Sequence, residues 1–104
     1  MNEVQRKVFS RLIGFEQCSF NTSDCGTIKI RYNFGVIVFI QNDGNVFYEI
    51  DKMPKAHHFM LIVSKLIQGI ENLLNEREIT GNLYKGLADI ENKMFIMKME
   101  YEND

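Results

Sequence analysis

The side chains with the widest chemical repertoire in this chain are two cysteines, Cys18 and Cys25, and two adjacent histidines, His57 and His58. Together they carry the atoms of a zinc site, but structural zinc sites pair cysteines two to four residues apart. Six residues separate these two, and adjacent histidines on a helix point in different directions, so no metal site and no cofactor is expected. Nucleophilic catalysis would need a thiol beside a base and an orienting group. The chain has no nucleophile elbow, no glycine-rich phosphate loop and no dinucleotide fingerprint to supply one. Asp89 with Glu91, or Asp43 with Glu49, could be written as carboxylate pairs, yet their spacing is that of ordinary surface acids. The expectation is a protein that is not an enzyme.

The remaining polar chemistry is that of binding. Arg6, Lys7 and Arg11 share one side of a first helix, and Lys29 and Arg31 alternate with Ile28, Ile30 and Tyr32. Glu100, Glu102 and Asp104 gather at the other end of the chain. With 12 Lys+Arg against 14 Asp+Glu and a pI near 5.7, the chain lacks the basic footprint of a general polyanion binder, so direct nucleic-acid binding is not the leading expectation. The balance is uneven: five basic and three acidic groups in residues 1 to 31, three of each to residue 70, then four basic and eight acidic. Like charges repel, so a fold has little reason of its own to collect acids at one end. Glu100, Glu102 and Asp104 are therefore expected to meet a basic groove on another protein, with Arg6, Lys7 and Arg11 as the alternative surface.

These residues must be positioned by a fold, and 104 residues with 45% hydrophobic side chains fit one domain spanning 1–104, large enough to bury roughly two-thirds of its unfolded surface. The longest apolar stretches, Val36 to Ile40 and Phe59 to Val63, are far shorter than the roughly 20 residues needed to cross a bilayer. No export signal is visible among Glu3, Arg6, Lys7 and Arg11, which makes the cytoplasm the expected compartment and reduced thiols the expected state. Ten Asn, twelve Ile and eight Lys against two Ala and one Pro are the bias of AT-rich codons. A low-GC bacterium, or a phage or plasmid within one, is the expected source.

Val4, Val8 and Leu12 recur at four-residue spacing behind Asn2, a residue suited to capping, and predict a first helix stopped by Gly14. Residues 16 to 26 read as a loop or an irregular edge strand. From Thr27 the apolar residues fall on even positions, through Ile28, Ile30, Tyr32, Phe34, Val36, Val38 and Ile40, which is the period of a strand. Gly35 marks either a bend or a tight Asn33-Phe34-Gly35 connection, and two strands are preferred because one of fourteen residues is unusually long. Asp43-Gly44 predicts a type I′ hairpin turn, registering Phe39 opposite Tyr48 and Ile37 opposite Ile50 in the buried sheet. Pro54, with Asp51 nearby, opens a long helix carrying Phe59, Val63, Leu66, Ile70 and Leu73 to about Glu76. Phe95, Met97, Met99 and Tyr101 then alternate with polar residues, predicting a strand over Lys93 to Glu102. Leu83, Leu87, Ile90 and Met94 keep helical spacing but are interrupted by Gly81 and Gly86, and Asn82 to Ile90 is read as the hairpin's other arm. Met94, Met97 and Met99 suit either a core or an adaptable binding surface.

The expected fold is thus α+β: a helix, an antiparallel strand meander, a long core helix and a C-terminal β-hairpin, in the order α-β-β-β-α-β-β and in two layers. That element order resembles the secretion chaperones, which implies an acidic homodimer. In size, acidity and compositional bias the chain also resembles small phage-encoded inhibitors of host defence, such as anti-CRISPR proteins, and toxin-immunity proteins. Those resemblances imply a small inhibitor that occludes a protein partner, a nucleic-acid-processing enzyme or a toxin. The alternatives are a secretion-chaperone-like dimer, or a nucleic-acid binder using the basic side of the first helix and strand.

Overall fold

The computed structural model describes residues 1–13, 18–50 and 59–103. Its elements run α1 (Glu3–Leu12), β1 (Cys18–Thr22), β2 (Ile28–Tyr32), β3 (Val36–Ile40), β4 (Val46–Ile50), α2 (Phe59–Leu74) and α3 (Gly81–Glu102). The four strands form one antiparallel meander in chain order, and the helices share a single hydrophobic core with one face of it. The α+β class stands. Residues 18 to 22, left open between loop and irregular strand, form an ordinary edge strand.

Three strand connections are built alike. Between the facing residues Ser23 and Thr27, Tyr32 and Val36, and Gln41 and Asn45, each turns through three residues, the last a glycine of positive φ: Gly26 (85°), Gly35 (98°) and Gly44 (88°). In each the glycine N–H donates to the carbonyl of the residue before the loop, Ser23, Tyr32 or Gln41. Such loops pair a type I turn with a left-handed residue that only glycine adopts without steric cost. The expected type I′ turn at Asp43-Gly44 is corrected by this finding, because it needs positive φ at both residues and no non-glycine residue described has it. Asp43 instead accepts the Asn45 N–H on its carboxylate at 3.0 Å.

That extra loop residue moves the register by one. Phe39 pairs with Phe47, Val38 with Tyr48 and Ile37 with Glu49, not Phe39 with Tyr48 or Ile37 with Ile50. A one-residue slip exchanges the faces of a strand. Even positions in β2, β3 and β4 therefore point inward, with Ile28, Ile30, Tyr32, Val36, Val38, Ile40 and Val46 all buried in the core. Phe39 and Phe47 fall on the other face.

Helix α1 is fastened to the sheet at both ends. Asn2 and Gln5 form a capping box: the Asn2 side chain accepts the Gln5 N–H at 2.8 Å and the Gln5 side chain accepts the Asn2 N–H at 3.1 Å. The Gln5 amide then donates to the carbonyls of Gly26 and Ile40 at 2.9 and 3.2 Å, which satisfies the one buried polar side chain of the described core. At the far end the Tyr32 hydroxyl donates to the Leu12 carbonyl at 2.5 Å. The helix stop expected at Gly14 lies outside the described residues, and the observed C-cap is Ile13.

The C-terminal β-hairpin is overturned. Residues 81 to 102 form one helix, so the order is α-β-β-β-β-α-α, and the order on which the likeness to secretion chaperones rested goes with it. Leu83, Gly86, Leu87, Ile90, Met94 and Met97 are its buried side, a spacing of threes and fours that belongs to a helix face. Gly86 does not interrupt that helix, because it lets α3 lie directly on β4: a Cβ built there would stand 2.2 Å from the Val46 carbonyl oxygen. The start of α2 expected from Pro54 and Asp51 lies outside the described residues. At its other end α2 closes at Leu74, and a short turn leads to α3.

Two substitutions test this packing. Ile40→Ala removes a fully buried side chain and is expected to cost about 2–5 kcal/mol, while Phe39→Ala, from the half-buried outer face, costs less; a denaturant titration giving the reverse order would restore the rejected register. Gly86→Ala gains up to about 1 kcal/mol of helix propensity but meets a backbone carbonyl that cannot swing aside. A net loss of about 1–3 kcal/mol is expected, and an unchanged midpoint would show that α3 stands off β4.

Candidate functional site

The inward face of the sheet belongs to the core, so any chemistry of the sheet lies on its outer face. The register lines odd residues into two rows crossing the strands. One row runs Asn21, Lys29, Phe39, Phe47; the other runs Ser19, Arg31, Ile37, Glu49. Neighbours in a row stand on adjacent strands, about 4.8 Å apart. The Phe39 and Phe47 rings stack at 4.7 Å between centroids and 12° between planes. Lys29 Nζ lies 5.9 Å from the Phe39 centroid, within the range of a cation–π contact. Ile37 is buried, Lys29 and Phe39 are half-buried, and Ser19, Asn21, Arg31, Phe47 and Glu49 are exposed. Ser19, Asn21, Lys29 and Arg31, with Phe20, line a shallow concavity of about 70 Å³. The result is an aromatic pair beside two cations, rimmed by a hydroxyl, an amide and one carboxylate.

Sequence reasoning placed Lys29 and Arg31 opposite the aromatics Tyr32 and Phe34, and those two are indeed buried in the core. What it missed is that Phe39 and Phe47 share the cations' face. The signal was available: Phe39 is odd-numbered like Lys29 and Arg31, and three-residue loops preserve that parity from strand to strand.

The other candidate residues are dispersed. On α1, Lys7 pairs with Glu76 and Glu78, and Arg11 pairs with Glu76 at 3.1 Å, so two of the three cations tie α1 to the turn between α2 and α3. Glu76 first and Glu78 second raise the Lys7 pKa, and Lys7 in turn lowers that of Glu78. Arg6 is exposed. Glu100 and Glu102 do not share the polar side of a strand: they sit on α3 about 200° apart around the axis, both exposed. Asp104, His57 and His58 lie outside the described residues.

The two thiols occupy opposite ends of β1. Cys18 starts the strand and Cys25 lies in the loop beyond its end, which the rise of a strand separates by more than about 15 Å. They cannot serve one metal ion, and among the described residues no three His, Cys, Asp or Glu side chains gather as ligands. Their environments differ: burial pushes the Cys18 thiol up, whereas Cys25 is exposed and lowered to about 7. The Ser23 hydroxyl, 3.1 Å from Cys25 Sγ, is the main cause and the Thr27 hydroxyl, at 3.6 Å, the second. Donors aimed at sulfur favour the thiolate over the thiol.

A groove of about 210 Å³ between Val4, Asp43, Glu78 and Leu83 is smaller than the pockets that enclose typical small-molecule ligands. No described helix is long and apolar enough to cross a membrane. Compared with protein-family models, curated proteins and solved structures, the chain gives no match.

Because the thiolate is the nucleophile, Cys25 alkylation by iodoacetamide is expected to follow an ionisation near pH 7, well below that of Cys18, and Ser23→Ala is expected to move it upward. Equal rates for the two thiols across pH 6 to 9, read by peptide mass spectrometry, would contradict this environment.

Proposed function

We propose that this chain is a non-enzymatic binding domain that covers a surface of another protein, as small inhibitors and immunity-type proteins do, and that the outer face of its sheet is the covering surface. The observation that carries this is the pair of cross-strand rows, which put Phe39, Phe47, Arg31 and Ile37 side by side within a polar rim. Aromatic and Arg side chains on a rigid scaffold, surrounded by Ser, Asn, Lys and Glu, have the composition of an interface centre and its rim. Sheet hydrogen bonds hold the backbone beneath them, so little ordering entropy is lost when a partner arrives. A nucleic-acid-processing enzyme or a toxin of a low-GC bacterium is the partner class that fits the compositional bias, and the cytoplasm is the compartment proposed for that encounter. A second reading rests on Lys29 over Phe39: cations beside an exposed ring are also how single strands of nucleic acid are held.

The double variant Arg31→Glu with Phe47→Ser alters two exposed side chains and is expected to fold. Used as bait beside the wild type in low-GC bacterial lysates, with and without phage infection, it is expected to lose a stoichiometric partner that the wild type retains. Equal retention by both, or a partner held by neither, would overturn the proposal. A labelled oligothymidylate of about ten nucleotides decides the second reading: binding that collapses between 50 and 200 mM salt would replace the protein partner with nucleic acid.

A further inference from the structure

The hollow of about 70 Å³ at the β1–β2 side of the outer face is walled by hydrogen-bond donors. They are the Ser19 hydroxyl, the Asn21 amide, the Lys29 ammonium and the Arg31 guanidinium. Cross-strand pairing sets Asn21 beside Lys29 and Ser19 beside Arg31, while Lys29 and Arg31 follow one another on the same face of β2, about 7 Å apart. Both charged side chains of the hollow are therefore cations, and no acid lines it. The four strands contain one acid, Glu49, which stands on β4, two strands beyond Arg31. Asp24 and Asp43 lie in the loops past Thr22 and Ile40, outside the hollow. Convergent donors, two of them charged, with no acceptor charge among them complement an oxyanion.

We propose, on the reading that this face covers another protein, that the hollow receives a carboxylate side chain of that protein while an apolar side chain beside it in the partner lies against Phe47. The rest of the face selects a carboxylate over the phosphates of a nucleic acid. Base stacking needs an open ring face, and Phe39 carries Lys29 over one face and Phe47 against the other. Only Phe47 remains exposed, and it stands about 12 Å from the middle of the hollow at the strand spacing. A run of phosphates reaching that ring would approach Glu49 on the same strand, whereas a single carboxylate meets only cations. The contact of Lys29 with Phe39 holds the ammonium against the sheet, so less side-chain entropy is lost when an acid arrives. Arg31 has an interaction of its own, and a guanidinium carries five N–H donors, so it serves an incoming carboxylate as well.

Panning a displayed library of random peptides on the full chain tests this. The recovered peptides are expected to share an Asp or Glu with an aliphatic or aromatic residue near it. In fluorescence anisotropy, replacing that acid by its amide, or introducing Lys29→Gln or Arg31→Gln into the protein, is in each case expected to weaken binding about tenfold. With Lys29→Gln and Arg31→Gln combined, the acid and amide peptides are expected to bind alike. Lys29→Glu with Arg31→Glu, checked for folding by circular dichroism, is expected to recover basic peptides instead. A library that yields no binder, peptides without a shared acid, or acid and amide forms that the wild type binds equally would overturn the proposal. A phosphoserine that binds more than about tenfold tighter than the acid it replaces, or an oligothymidylate that displaces the peptides, would give the hollow to phosphate and overturn it too. In the lysate capture, a partner lost by Phe47→Ser but kept by Lys29→Gln with Arg31→Gln would leave the covering face standing and overturn the carboxylate site alone.

Discussion

The positive φ of three glycines governs most of what this molecule presents to its surroundings. Gly26, Gly35 and Gly44 stand nine residues apart and each closes a three-residue loop. An odd loop length keeps side-chain parity across a hairpin, whereas a two-residue loop reverses it. Three odd loops in succession therefore carry one parity from strand to strand: the even residues of β2 and β3, with Val46 of β4, enter the core, and the odd residues of the four strands share the outer face. The inward set is uniformly apolar in β2 and β3, so the hydrophobic term and the turn geometry select the same register and reinforce one another. The two outer rows, and with them Lys29, Arg31, Phe39 and Phe47, are a consequence of that agreement.

The helices are then held relative to the sheet by a small number of polar ties at the ends of α1. Gln5 caps its own helix and reaches the carbonyls of Gly26 and Ile40, so one side chain joins the helix start to the loop between β1 and β2 and to β3. Tyr32 holds the other end through Leu12, and burial raises its pKa, which keeps the hydroxyl a donor. Between these two points Lys7 and Arg11 converge on Glu76. Exposed ion pairs of this kind contribute little to stability individually, so their effect is chiefly to fix where the turn between α2 and α3 sits. Gly69 completes the arrangement, because a Cβ there would stand 2.9 Å from the Arg11 carbonyl oxygen and hold the two helices apart.

The sequence made the first helix, its Asn2 cap and the strands from Ile28 to Ile50 legible, because each has a period that only one element satisfies. The hairpin register was not legible from Asp43-Gly44 alone, since that dipeptide suits both two- and three-residue loops. The nine-residue recurrence of glycine does separate the two, as it ties Gly44 to Gly26 and Gly35 and so to a common loop length. The outer rows stayed hidden for the same reason: with Phe39 assigned to the core, no aromatic remained beside Lys29 and Arg31. The salt bridges of Lys7 and Arg11 could not be read at all, because Glu76 and Glu78 lie 65 or more residues away and only the tertiary fold brings them near.

The misreading of α3 has a physical cause that also says something about the helix. Phe95, Met97, Met99 and Tyr101 alternate with polar residues, which is the pattern of a strand with one apolar face. In a helix, residues two apart lie about 200° from one another, so the same alternation describes apolar groups on two opposite sides. Met97 looks into the core and Met99 away from it, and the polar residues between them mark the borders of each side. The sequence pattern that imitated a strand is thus the record of a helix with apolar groups on two sides, one covered by α2 and the sheet, the other, with Phe95, Ile96 and Met99, exposed.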